Sequence, residues 1–238
     1  MSTQSVAVAS HNELNRNSLF NMKGRVALDI EGEIIALTAD VASKQSIAKL
    51  VREIESREKC LCILVNNAGI TSESVTTETE TASDMKRNLF DNDKATFDDW
   101  TDTYRTNVAS IYFVTAAFLP LLQKSLELHP GWPGTVINIS SVSGLVKSAQ
   151  HHFAYNASKA AAVHLTRMLS AEIAESGHKI RVNSIAPGIF PSEMTAQESN
   201  EFQKSHIPRE NYAKKVPAAR PGRDVDMAQA VLMLAAKQ

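Results

Sequence analysis

"LCILVNNAG", residues 61–69, carries an unbroken apolar run into a turn of small and polar residues. A run of that length, bounded by turn residues, reads as a strand covered on both faces, as strands of parallel sheets are. Two later stretches have the same form, "GTVINISS" at 134–141 and "KIRVNSIAPG" at 179–188. Helical patterns lie between them. "SKQSIAKLVREIESR" places Ile47, Leu50, Val51 and Ile54 at helical spacing behind Ser43, a good N-cap. "FDDWTDTYRTNVASIYFVTAAFLPLLQKS" opens after Thr96, with Asp99 three residues on as in a capping box, and Pro120 predicts a bend or break in its last turns. "YNASKAAAVHLTRMLSAEIAES" ends at Gly177, and "DVDMAQAVLMLAAKQ" is the last helix. Strands alternating with helices predict an α/β fold whose mostly parallel sheet is covered on both faces.

The remaining segments set the domain organisation. Residues 1–20 are polar and aperiodic and read as a loose N-terminal tail, leaving 21–238 as a single domain. Residues 71–95 are rich in Thr, Ser and acids and read as a surface insertion without a core element. "RVALDI" and "EIIALTA" read as two short strands joined through Glu31 and Gly32. They fit either an antiparallel hairpin or a position for the second beside "LCILVNN".

A net charge of -1 gives no electrostatic reason to expect nucleic acid or an anionic membrane as partner. The first residues lack the basic start and apolar stretch of a secretory signal, and no apolar run approaches the ~18 residues of a bilayer span. A cytoplasmic location is expected. The two cysteines, Cys60 and Cys62, read as buried, reduced thiols on one face of a strand, too close in sequence for an ordinary structural bridge or a zinc knuckle. The seven histidines show no metal-ligand spacing, so no metal is expected. His151 and His152 read as surface residues.

In an open parallel sheet the ligand crevice lies at the carboxyl ends of the strands. Those ends carry Asp40 and Val41, Asn66 to Gly69, Ser140 and Ser141, and Pro187 and Gly188. Tyr155 and Lys159 stand four residues apart at the start of a helix and share a face, so an ammonium beside the phenol is expected to lower its pKa.

The ordered set "NNAG", "TNVAS", "NISSVSG", Tyr155 with Lys159, and "NSIAPG" resembles the short-chain dehydrogenase/reductase family over residues 20–238. Within it the chain is most similar to fungal 3-oxoacyl-carrier-protein reductase-like members, many of them in secondary metabolism. The resemblance implies a Rossmann-like doubly wound fold and NAD(P)H-dependent reduction of a ketone or 3-oxoacyl group, or the reverse oxidation. It implies that Tyr155 handles the proton, Lys159 lowers its pKa and holds the nicotinamide ribose, and Ser141 binds the same oxygen, with Ser143 as a rival. Asn107 would carry a relay water. Asn67, Ala68 and Gly69 would lie against the adenosine ribose, Asp40 and Val41 at the adenine, and Pro187, Gly188, Phe190 and Ser192 at the nicotinamide. NADP is the implied cofactor, with NAD the other option, and the partners would be a small carbonyl or alcohol and a second copy in a homodimer. The lid, residues 192–221, would set the substrate.

One departure stands out. In the family the first strand runs into a Thr-Gly-x-x-x-Gly-x-Gly loop, a helix and a second strand. Here Leu28 is followed by "DIEGEIIALTADV", which matches the third strand, and none of the nine glycines forms such a cluster. The fold is therefore truncated relative to the family, which also has a strand matching nothing before Gln238. That loop and the helix behind it bind pyrophosphate through backbone amides. Losing three such bonds at ~1.5 to 3 kcal/mol each weakens binding by ~4.5 to 9 kcal/mol. The alternative function is thus a catalytically impaired or non-enzymatic relative unable to hold the cofactor.

Overall fold

The computed structural model describes residues 24–26, 34–196, 200, 205–212 and 216–236. The expected N-terminal tail and the Glu31–Gly32 turn lie outside them. Three parallel strands form the central sheet in the order β3-β4-β5: β3 (Ile63–Asn66), β4 (Gly134–Ile139) and β5 (Ile180–Ile185). Ile63 aligns with Thr135 and Gly134 with Ile180, so the carboxyl ends of the strands stand level at Asn66, Asn138 and Ser184. Of the two pairings open to the N-terminal strands, the structure shows the hairpin. β1 (Gly24–Val26) pairs antiparallel with β2 (Ile34–Ala36), Arg25 opposite Ile35, and neither strand joins the parallel sheet.

Side-chain alternation sends the strands' apolar residues to two cores. Leu64, Val136, Ile180 and Val182 pack on one face with Ile47, Leu50 and Ile54 of α1 (Lys44–Glu55), and with Val114, Phe118, Leu121 and Leu122 of α4 (Ser110–Leu128). Ile173 of α5 (Phe153–Glu175) completes that core. Ile137 and Ile139 face the other way, where Met227, Val231, Leu234 and Ala235 of α7 (Asp224–Ala235) cover them, together with Ile63, Val65 and Ile185. Among the described residues this second core is the smaller.

Ser43 caps α1 by accepting from the Ser46 amide, and Thr96 caps α3 (Phe97–Tyr104) by accepting from Asp99. The long helix is not uniform. Between α3 and α4 the backbone takes a π-turn over Arg105–Ala109, closed by the Ser110 amide donating to the Arg105 carbonyl. Pro120 is accommodated within α4, which continues to Leu128, so the expected break does not occur. The joined helical stretch Phe97–Leu128 is long and apolar enough to span a bilayer by length and composition. It instead buries Ile111, Val114, Phe118, Leu121 and Leu122 in this protein's interior.

Two further expectations are corrected. β3 begins at Ile63, so Cys60 and Cys62 lie in the connection before it and not on a strand. Residues 71–95 contain a helix, α2 (Ala82–Leu89), started by Thr81 accepting from the Asp84 amide. It buries none of its residues, which explains why no apolar periodicity announced it.

A tight backbone junction lies at the start of β4, where a Cβ added to Gly134 would sit 2.3 Å from the Leu122 carbonyl oxygen of α4. Backbone cannot retreat as a flexible side chain can, so overpacking here is felt in full. Gly134→Ala should lower unfolding free energy by ~1–3 kcal/mol in urea titration. An unchanged midpoint would show that α4 and β4 can separate freely.

Candidate active site

Beyond the carboxyl ends of β3 and β4 the chain concentrates polar side chains that are almost wholly out of water. Lys159 is 4% exposed, and its ammonium donates to the Ile139 carbonyl at 3.1 Å. The same Nζ lies 5.7 Å from the centroid of the Tyr155 ring, one helical turn earlier. Burial pulls the Lys159 pKa down from 10.5 to about 8.

Tyr155 goes the other way. Burial raises the phenol pKa, and a hydrogen bond with the Ser141 side chain only partly offsets this. The expectation that the ammonium would lower the phenol's pKa is thus corrected, because desolvation outweighs every favourable contact. Tyr155 is held protonated at neutral pH, as a proton donor must be.

Ser141 rather than Ser143 is the serine at this oxygen. Its hydroxyl caps the 3₁₀ turn Val142–Gly144 by accepting from the Ser143 amide, and it reaches Tyr155. Ser143 donates instead to Gln150 Oε1 at 2.7 Å. The turn is pressed against α5: a Cβ on Gly144 would stand 2.5 Å from the Lys159 carbonyl carbon. Ser141 and Lys159 are therefore placed by one backbone contact.

Asn107 occupies the π-turn, 1% exposed, with its amide fully engaged. Nδ2 donates to the Ile70 carbonyl at 2.9 Å and to Ser158 Oγ at 3.0 Å, and Oδ1 accepts from the Ile70 amide at 2.9 Å. It thereby clamps the loop after β3 to α5. In that loop Asn67, Ala68 and Gly69 follow the strand end, and a Cβ on Gly69 would meet Asn107 Oδ1 at 3.2 Å and Lys159 Nζ at 3.3 Å. Gly69 therefore sits directly against both groups.

Pro187 is brought to the same end of the sheet by its carbonyl, which accepts from the Val142 amide. Gly188 beside it faces open space. Phe190 and Ser192 form a turn closed by Thr195, whose hydroxyl donates to the Phe190 carbonyl and accepts from the Ser192 amide, and the Phe190 ring lies on Gly222. Asp40 and Val41 are not brought to a strand end of the parallel sheet. Asp40 accepts from the Ala42 amide in the turn into α1, and Val41 packs into the larger core.

Sequence reasoning missed the supports. Ser72, assigned to the surface insertion, is 4% exposed and accepts from the Tyr155 amide, capping α5. The Ser72 carbonyl accepts from His152 Nδ1, so this histidine is half-buried and structural. Gln150 and His151 hold φ of 52° and 67°, costly for non-glycine residues. The His151 carbonyl accepting from Val75 helps to hold that bend. Beneath the site, Asn66 donates to Thr115 and Asn138, and Asn138 donates to Thr166, a buried chain across β3, β4, α4 and α5. Only these residues' positions on apolar strands and helices could have suggested it.

With this geometry in view, comparison with known proteins is specific. A family profile described as short chain dehydrogenase matches residues 4–203. The short-chain dehydrogenase/reductase PhomF of Diaporthe leptostromiformis is 36% identical over 211 residues, 87% of this chain and 69% of that protein. The rhamnolipids biosynthesis 3-oxoacyl-[acyl-carrier-protein] reductase of Pseudomonas aeruginosa is 34% identical over 208 residues, 87% and 72% of the two chains. Among solved structures, the Pseudomonas aeruginosa RhlG/NADP active-site complex superposes with a TM-score of 0.66 at 32% identity, covering 84% of this chain and 69% of that one. ElxO with NADP bound superposes with a TM-score of 0.64 at 26% identity, covering 85% and 71%.

The buried ammonium has a stability signature. With a folded pKa of about 8 and an unfolded value of 10.5, Lys159 costs stability below about pH 8, where both states are protonated. The unfolded state binds the extra proton between those values, so the penalty shrinks as pH rises through that window. Lys159→Met should therefore be more stable than wild type by ~1–3 kcal/mol at pH 7. The difference should narrow toward pH 10 in urea denaturation, and a pH-independent difference would contradict the burial.

Proposed function

We infer that this chain, which belongs to the short-chain dehydrogenase family, is an NAD(P)-dependent oxidoreductase that reduces a carbonyl with Tyr155 as proton donor. The observation that carries this is the Tyr155 phenol, its pKa tempered by the Ser141 side chain, with the buried Lys159 ammonium 5.7 Å from its ring. Reduction of a ketone builds negative charge on its oxygen. Preorganised donors stabilise that charge as it forms, without reorganising solvent. Tyr155 would transfer its proton to that oxygen while Ser141 donates a second hydrogen bond. Lys159, charged below about pH 8, would steady the resulting phenolate and pass on a replacement proton. Asn107 would serve this by fixing the loop after β3 against α5.

NADP(H), the cofactor of the solved relatives, supplies the hydride when bound. The nicotinamide-ribose half fits the residues present. Gly69 lies directly against Lys159 and Asn107 where a side chain would crowd them, and Gly188 faces open space. Lys159, Tyr155, Asn67, Ala68, Gly69, Pro187, Gly188, Phe190 and Ser192 would hold it. The pyrophosphate end fits less well, since the nine glycines include no GxGxxG cluster, so binding weaker than in loop-bearing relatives follows.

The substrate proposed is a small ketone or 3-oxoacyl group, on the strength of the similar 3-oxoacyl-[acyl-carrier-protein] reductase. Similarity to PhomF from a fungus supports a setting in fungal secondary metabolism. Residues 21–238 are proposed to act as one cytoplasmic domain. A homodimer is supported by apolar side chains left exposed on the paired long helices: Phe97, Trp100, Tyr112, Phe113 and Met168.

The test is NADPH consumption with a panel of ketones and 3-oxoacyl thioesters. Tyr155→Phe should lower kcat by ~10²–10⁴, and Ser141→Ala by ~10²–10³. Ser143→Ala should leave it within about twofold, because that hydroxyl is committed to Gln150. Turnover undiminished in Tyr155→Phe would refute the assignment. With Tyr155 protonated and Lys159 charged below about pH 8, reduction should fall as pH rises through that value.

A further inference from the structure

At the amino end of β3, the end of the sheet away from Tyr155, the fold assembles a second set of reactive side chains. Cys60 and Cys62 lie in the connection into β3, and His129 caps the C-terminal end of α4. Their two sulfurs and an imidazole nitrogen lie within 4.8 Å of one another. Nothing in the proposed reduction uses them.

The backbone around all three is pinned. Leu61 donates to the Leu121 carbonyl at 3.0 Å, and the Cys62 carbonyl accepts from Thr135 at 2.9 Å. The His129 amide donates to Ser125, the His129 carbonyl accepts from Trp132, and the fully buried Ser125 hydroxyl donates to the Trp132 carbonyl. The side chains thus project from a fixed frame. The thiols are half-buried and the imidazole exposed, which leaves an open approach. The C-terminal end of a 19-residue helix adds partial negative charge at His129.

We propose that Cys60, Cys62 and His129 bind one divalent ion of the zinc class, with water as the fourth ligand. Two sulfurs and one nitrogen select borderline-soft ions over magnesium or calcium, which prefer oxygen. A tetrahedral ion needs its donor atoms ~3.5–3.8 Å apart, so about 1 Å of side-chain movement closes the set. Two thiols lose their protons to solvent on binding, and two thiolates with a neutral imidazole balance the dication's charge. The ion would staple the entry of β3 to the turn between α4 and β4.

The reduced, chelator-treated full chain is titrated with Co²⁺ and, in competition with a chromogenic chelator, with Zn²⁺. The expected result is about one ion per chain, with thiolate-to-cobalt charge-transfer absorption. Cys62→Ser should weaken affinity about a hundredfold, and His129→Ala about tenfold or more. His129 is exposed, so its replacement should leave the fold intact by circular dichroism. A folded chain with both thiols titratable that takes up less than about a tenth of an equivalent would overturn the site. So would charge-transfer absorption and affinity unchanged in His129→Ala.

Discussion

The Lys159 ammonium, buried against the Ile139 carbonyl, is the constraint around which the rest of the molecule is arranged. A charged amine out of water is costly unless polar groups meet it. Here the Ile139 carbonyl at the end of β4 does so, while the Gly69 loop packs against both Lys159 and Asn107 and the Gly144 turn presses on the lysine's own backbone. What remains of the desolvation cost shows as a pKa of about 8. That residual cost places the lysine's protonation within reach of neutral pH, where it can be used.

The same burial explains why the phenol is raised and not lowered. Tyr155 shares the dry environment of Lys159, and one hydrogen bond with Ser141 does not replace bulk water. A tyrosine that keeps its proton suits reduction of a carbonyl, in which the enzyme must give a proton away. The buried amide and hydroxyl chain from Thr115 through Asn66 and Asn138 to Thr166 holds the strand ends beneath this pair in register. The site is rigid because its supports are paired, and unpaired partners would be expensive at that depth.

Much of this was legible along the chain. The three parallel strands were announced by continuous apolar runs, and Tyr155 and Lys159 by their spacing on one helix face. Ser143 stayed a rival to Ser141 in sequence, because the partner that occupies it, Gln150, enters from a left-handed loop. Ser72 was hidden in a segment whose composition reads as surface, although its hydroxyl caps α5. The π-turn at Asn107 leaves no local signature, and of the bend or break that Pro120 suggests, the break does not occur because α4 continues to Leu128. Asp40 and Val41 were misplaced for a different reason. Among the described residues β2 pairs with β1 and not with the parallel sheet, so these two residues do not follow one of its strand ends.

With no glycine cluster among the nine glycines, cofactor binding is the point on which the functional reading turns. Fluorescence titration of the folded 238-residue chain with NADPH tests it most directly. Saturable binding that is lost in Lys159→Ala, at a concentration higher than loop-bearing relatives need, is the predicted result. No binding at millimolar NADPH by a chain shown to be folded would contradict it, leaving Tyr155 and Ser141 as a proton-donating pair without a hydride source.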